Sequence, residues 1–275
     1  MAQTINTNIM ALTAQRNLSR SQGTMATAME RLSSGLRVNS AKDDAAGLAI
    51  AERMNSQVRG MNVAIRNAND GISLAQTAEG GLNEIGSMLQ RMRELAIQSI
   101  NGTNSDSDRD NLDVEYQALS DEIERIADTT KFNDQAVLNV ATPFAFQVGA
   151  NTGTSETLTI TTANAKATTG MTAVLTRAID TDTSATNAIG DLDDAIGEVT
   201  TQRARYGAAQ SRFESAINNL QIGVENQAAA RGRIVDADFA VETAALTRSQ
   251  ILQQAGNAMV AQANSAPQSV LQLLG

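Results

Sequence analysis

The chain of 275 residues contains no cysteine, no histidine and no tryptophan. Without cysteine there can be no disulfide and no thiolate metal site. Without histidine the usual general base near neutral pH and the commonest metal ligand are missing. Aromatic residues make up only 3%, whereas thin helical bundles fill their cores with Leu, Ile, Ala and Met and need few aromatics. Lys plus Arg is 21 against 30 for Asp plus Glu, a formal charge of -9, so no basic patch offers a nucleic-acid footprint. No run of about 18 apolar residues predicts a membrane span. The opening Met1-Ala2-Gln3-Thr4-Ile5-Asn6 lacks the charged and apolar regions of a cleaved signal peptide, so export would need another route. No GxGxxG, Walker A or GxSxG sequence occurs. These absences predict no enzyme, no cofactor, no metal, no nucleic acid and no membrane.

What is present is helical periodicity at both ends. Ile50, Met54, Val58, Met61, Ile65, Ala68, Ile72, Ala75, Ala78, Leu82, Ile85, Leu89, Met92 and Ala96 recur, after a stutter near Met54, at steps of three and four, the spacing of a heptad seam. Ile189, Leu192, Ile196, Val199, Tyr206, Phe213, Ile217, Leu220 and Val224 form a second seam, and Leu112, Tyr116, Leu119, Ile123 and Ile126 a third. Three seams predict a mainly α fold, a long antiparallel helical bundle or coiled-coil rod. Outer helices are predicted at 3–32 and 236–265, paired with each other. Inner helices are predicted at 45–99, 105–129 and 189–230. Breaks are expected at Ser33-Ser34-Gly35 and Arg231-Gly232-Arg233, with Pro267 stopping the last helix. A capping box from Ser40 to Asp43 would restart the chain near Ala41 to Ala45. In the middle of the chain, Phe144 to Val148 and Leu158 to Thr161 alternate apolar and polar residues, which predicts a small β-hairpin. Residues 161–188 read as surface. The outer pair is poor in large side chains, so it is expected to order fully only against neighbouring copies.

Possible chemistry is sparse. Asp106-x-Asp108-x-Asp110 opens like a calcium loop, but Asn111 and Gln117 stand where glycine and glutamate are needed. Acids at a helix start explain it better. Lys42-Asp43-Asp44 reads as a cap with a local ion pair. Gly71, Gly80, Gly81 and Gly86 lie inside the long seam at roughly 1 kcal/mol each against alanine. A local kink and close approach by a neighbouring subunit both account for them. Gln90 to Leu95 is a charged ridge beside the seam.

Long segments at both ends resemble bacterial flagellin. Ala11 to Leu18, Glu30 to Arg37 and Asn39 to Ile50 are similar to its N-terminal signature. Arg233 to Asp238, Gln250 to Gly256, Ala261 to Asn264 and Pro267 to Leu271 are similar to its C-terminal one. The resemblance covers about 1–150 and 189–275. It implies a flagellar filament subunit, self-polymerising and extracellular, that drives swimming as a helical propeller. Residues 1–44 and 235–275 would form the terminal coiled-coil core domain (D0) with its connecting spoke. Residues 45–234 would form the bundle with the hairpin (D1), with no D2 or D3. Subunit packing would involve Ile5, Leu12, Leu18, Leu32, Leu36, Leu252, Met259, Val270, Leu271, Leu273 and Leu274. Export would be unfolded, through the flagellar type III system. The implied partners are further copies, the hook-associated junction and cap proteins, a flagellar export chaperone, and the host's Toll-like receptor 5 and NAIP receptors. Gln90, Arg91, Leu95, Gln98 and Glu115 are similar to the Toll-like receptor 5 motif, and Leu271, Leu273 and Leu274 to the leucines that NAIP receptors read. Asp134, Gln227 and Gly232 depart from frequent family residues, which puts local packing there in question. The alternative within this resemblance is a hook–filament junction protein. A coiled-coil signalling module would need membrane spans or a linker to a receiver.

Overall fold

The heptad seams become helices. The structure, a computed structural model, describes the backbone of residues 7–272 and side chains of residues 7–265. Its helices are α1 (Ile9–Ser34), α2 (Ala45–Ser99), α3 (Asp106–Thr129), α4 (Thr169–Thr176), α5 (Asp182–Val235) and α6 (Phe239–Gln272). The strands are β1 (Lys131–Phe132), β2 (Gln135–Ala136), β3 (Pro143–Gln147) and β4 (Thr157–Thr161). Two compact units result, one from Met1–Ser56 with Asn226–Gly275, the other Gln57–Glu225.

In the unit Gln57–Glu225 the seams face inward. Leu82, Ile85, Leu89 and Met92 of α2 are buried with Tyr116 and Ile123 of α3 and Leu192 and Phe213 of α5. Helices α2 and α5 run antiparallel: Arg93 reaches Asp193 at 2.7 Å, and Gln210 reaches Glu79 at 2.9 Å. Two glycines of α2 lie against side chains of the same chain. A Cβ on Gly71 would stand 2.7 Å from Phe213 Cζ, and one on Gly81 would stand 2.6 Å from Leu138 Cδ1. Close approach within the subunit thus explains both, while Gly80 faces open space and Gly86 only ordinary contact distance.

The hairpin β3–β4 is antiparallel, pairing Phe144 with Ile160 and Phe146 with Leu158. It docks on the bundle through an edge-to-face contact of Phe146 with Phe213, centroids 5.5 Å apart, and through Asn67 Nδ2 donating to Gln147 O at 3.1 Å. A smaller ladder, β1–β2, precedes it. Its two-residue turn, Asn133-Asp134, has φ of 48° and 62°, the positive pair of a type I′ hairpin turn.

Several expectations are corrected. Residues 161–188 are not mere surface: α4 and the loop after it bury Met171, Val174 and Ile179. Polar ties hold that loop to α3, where Asp113 accepts from Ile179 N at 2.7 Å and Gln117 donates to Arg177 O at 3.0 Å. The hydroxyl-rich composition hid three core residues. Arg231-Gly232-Arg233 is not a break, because one glycine costs a helix only about 1 kcal/mol and Asp236 N still donates to Gly232 O at 2.8 Å. The break follows at Asp236–Asp238, where Asp238 Oδ1 caps α6 by accepting from Ala240 N at 2.9 Å. Pro267 does not end the last helix; α6 continues to Gln272. Ser40 and Asp43 close a separate turn, and α2 starts after it, with Asp44 Oδ1 accepting from Gly47 N at 2.8 Å. The first outer helix spans Ile9–Ser34, and its expected residues 3–6 lie outside the described ones.

Candidate functional site

In the unit of the two termini, α1 and α6 form an antiparallel pair. Asn8 Nδ2 donates to Ala263 O at 2.7 Å, Leu18 meets Gly256, and Arg31 bonds Glu242 at 3.1 Å. A Cβ on Gly256 would stand 3.1 Å from Leu18 Cδ1. The breaks meet as well. Gly35 takes a left-handed φ of 72° and donates to Arg31 O at 2.8 Å, a glycine-type helix stop. Arg37 N then donates to Val235 O at 2.6 Å and Ala237 N to Gly35 O at 2.9 Å, around a bridge of Leu36 with Asp236.

The seam of this pair is made of small residues. Ala11 and Ala28 are buried, while Ile9 (67% exposed), Met10 (70%), Leu12 (52%), Ile251 (60%) and Met259 (62%) face outward, with Leu252 similarly exposed. An open groove of about 500 Å³ runs between the helices, lined by Ile9, Met10, Leu18, Leu252, Gly256 and Met259 among others. Exposed apolar side chains grouped in this way mark a contact surface. Among the candidate packing residues, Leu18, Leu32 and Leu36 are half-buried. Val270 and Leu271 lie on α6, their side chains outside the described set; Ile5, Leu273 and Leu274 lie outside the described residues.

The charged ridge of α2 has a defined geometry. Arg91 stands between Glu115 of α3 (2.8 and 3.0 Å) and Glu94 (3.0 Å). Its hydrogen bonds to Glu94 and Glu115 both hold the guanidinium charged. Gln90, Gln98 and Glu115 are exposed beside it. Leu95 is only 1% exposed and belongs to the core beneath the ridge. Glu94 was the residue sequence reasoning passed over; its three-residue spacing from Arg91 was the available signal.

The acidic clusters are structural. Ser105 and Asp108 make a reciprocal capping box at the start of α3, and the Ser105 hydroxyl and N–H hold the Asp108 carboxyl below its ordinary value. Asp43 is lowered in the same way by the Ser40 hydroxyl and N–H. Among the described residues, no group of three or more acidic side chains is placed to hold a metal ion.

Residues 5–142 match the family model of the bacterial flagellin N-terminal helical region, and 189–274 match that of the C-terminal helical region. The chain is 49% identical to a flagellin of Halalkalibacterium halodurans over 271 residues, 98% of this chain and 99% of that one. It is 46% identical to a flagellin of Xenorhabdus nematophila over 312 residues, covering all of both chains. Flagellin A of Vibrio anguillarum aligns over 378 residues at 39% identity, again over the whole of both. That alignment is longer than this chain, which is therefore a short form. The crystal structure of Bacillus cereus flagellin superimposes with a TM-score of 0.50 at 34% identity, over 56% of this chain and 88% of that one.

Proposed function

The chain belongs to the bacterial flagellin family, and from that premise we propose how its parts divide the work of building a flagellar filament. It is a structural protein, not an enzyme. It self-polymerises into the filament that serves swimming motility.

The single observation that carries the division is the contrast along α1 and α6. Their mutual contact buries Ala11 and Ala28 and sets Gly256 against Leu18, while Ile9, Met10, Leu12, Ile251, Leu252 and Met259 are exposed. A pair that leaves its largest apolar side chains uncovered gains most of its burial from neighbours, at about 1.5–3 kcal/mol per covered side chain. Residues 1–44 and 235–275 therefore form the filament core, and 45–234, with both hairpins, the shell around it. The subunit leaves the cell unfolded through the flagellar type III channel, and a marginal terminal pair suits that route. A chaperone covers the C-terminal helix before export, and the junction and cap proteins flank the polymer at its ends.

In the free subunit, Gln90, Arg91, Gln98 and Glu115 form the face that Toll-like receptor 5 reads, with Leu95 supporting it from below. The exposed ion pairs of Arg91 support this reading. The leucines at 271, 273 and 274 are what NAIP receptors contact.

The test is electron microscopy of the purified chain after addition of short filament seeds. Seeds should lengthen into long uniform tubes. Seeds that gain only a short terminal cap would replace this reading with a hook–filament junction protein. Deletion of 265–275 should abolish lengthening while leaving the helicity of the bundle, and normal filaments from that truncation would contradict the assigned role of the terminal pair.

A further inference from the structure

Pro267 leaves a defect in α6. A proline has no N–H to give to the carbonyl four residues earlier, and here that carbonyl is Ala263 O. The helix nevertheless continues to Gln272. The vacated acceptor is not left to solvent: Asn8 Nδ2 donates to Ala263 O at 2.7 Å. The same amide caps α1, its Oδ1 accepting from Ala11 N at 3.0 Å. Only one orientation of the Asn8 amide serves both bonds, since the first needs a donor and the second an acceptor.

From this we infer that Asn8 is a positioning residue for assembly, a latch that sets the register of α1 against α6 by using the carbonyl Pro267 leaves free. An alanine-lined seam with few large knobs specifies axial register poorly, because sliding changes little packing. A fixed donor meeting a single unfilled acceptor supplies what the seam lacks. A one-turn slip would leave Ala263 O with neither a ladder donor from Pro267 nor the Asn8 amide. The Gly256–Leu18 approach lies in register with this bond, one end of the pair fixed by polarity and the middle by shape. This inference rests on the reading that the terminal pair packs between subunits, since a slipped pair would present its apolar face out of step with its neighbours.

Three full-length variants test it. Asn8→Asp keeps, and electrostatically improves, the cap of α1 but replaces the donor with a carboxylate facing Ala263 O. Pro267→Ala restores the N–H that fills Ala263 O from within α6. The third variant carries both changes. Seeded elongation of Asn8→Asp should be slowed about tenfold, the consequence of leaving one partly buried partner unmet. In the Pro267→Ala background the same change should have less than about a twofold effect, because Ala263 O then has a ladder donor of its own. Equal slowing in both backgrounds, or native elongation by Asn8→Asp, overturns the latch. If the native chain itself fails to lengthen seeds, the filament-core reading falls, and the latch is judged by the thermal melting of helical circular dichroism in the four soluble chains. There Asn8→Asp should lower the early part of the melt only when Pro267 is present; the same lowering with Ala at 267, or none in either background, overturns the latch.

Discussion

The two units of this molecule use their helices to opposite ends. In the bundle unit the heptad seams carry Leu82, Ile85, Leu89, Tyr116, Ile123 and Phe213, all buried within one chain. In the terminal unit the helices bury Ala11 and Ala28 and leave Ile9, Met10, Leu12, Ile251 and Met259 exposed. Charge divides in the same way. The bundle unit has twelve basic against twenty-three acidic residues, the terminal unit nine against seven, and no charged residue follows Arg248. The difference teaches that periodicity sets only which face is apolar. The size of the side chains on that face decides whether the helix finds its partner in its own chain or in another.

The contrast is open to direct attack. The largest effect is expected from Phe213→Ala, which removes the ring that meets Phe146 edge-on at 5.5 Å. Unfolding of the bundle by denaturant should become easier by about 3–5 kcal/mol, and a loss under about 1 kcal/mol would mean that the bundle core is not organised around that ring.

Next come two glycines. Gly71→Ala forces a methyl to 2.7 Å from Phe213 and should cost about 1–3 kcal/mol. Gly256→Ala meets only the end of Leu18 at 3.1 Å, where the gain of up to about 1 kcal/mol in helix propensity offsets the contact. Melting temperatures of the two variants should therefore separate; equal destabilisation would erase the distinction drawn between a filled core and a yielding one.

Leu252→Ala should leave denaturant unfolding of the soluble chain within about 0.5 kcal/mol of native, yet slow seeded elongation about tenfold through lost burial between copies. A soluble chain destabilised in proportion would show that Leu252 serves its own subunit instead.

Asp134→Gly should be mildly stabilising, by about 0.5–1 kcal/mol, because glycine accepts the φ of 62° without a Cβ penalty. An unchanged or lowered melting temperature would assign Asp134 a compensating role in its turn.

The smallest effect is on pH. Asp43 in the terminal unit and Asp108 in the bundle unit both have carboxyls held below the ordinary aspartate value by serine donors. A lowered folded value stabilises above the ordinary one, and that contribution is lost as pH falls through the lowered one. Titration followed by the amide signals of Ser40 and Ser105 should have midpoints below 3.8 for both. Ser40→Ala should raise only that of Asp43; a midpoint at or above the ordinary value in the native chain would remove the cap assignment.

Much of the fold was legible because heptad seams and caps are local. The long seam from Met61 to Ala96 reads as helix in the sequence and is helix, since a 3-4 pattern of Leu, Ile, Met and Ala fits no other element. The hairpin at 143–161 was legible from its alternation. What escaped were places where a distant partner overrides a local rule. Met171, Val174 and Ile179 sit among threonines and alanines, and only the surface offered by α3 and α5 makes them core. Pro267 is a stop signal on its own helix, and the donor that offsets its missing hydrogen comes from Asn8. In the candidate site, Arg91 and Glu115 were named from resemblance alone, while the burial of Leu95, which stands beside the seam residue Ala96, was missed.

The sequence by itself determined the helices, their apolar faces, the lack of cysteine and histidine, and the family, because each depends on residue type and spacing along the chain. Tertiary structure alone decided which glycines pack against side chains, where the terminal breaks meet, and that the amide of Asn8 answers the carbonyl freed by Pro267. Those depend on distances between residues far apart in sequence, and no periodicity encodes them.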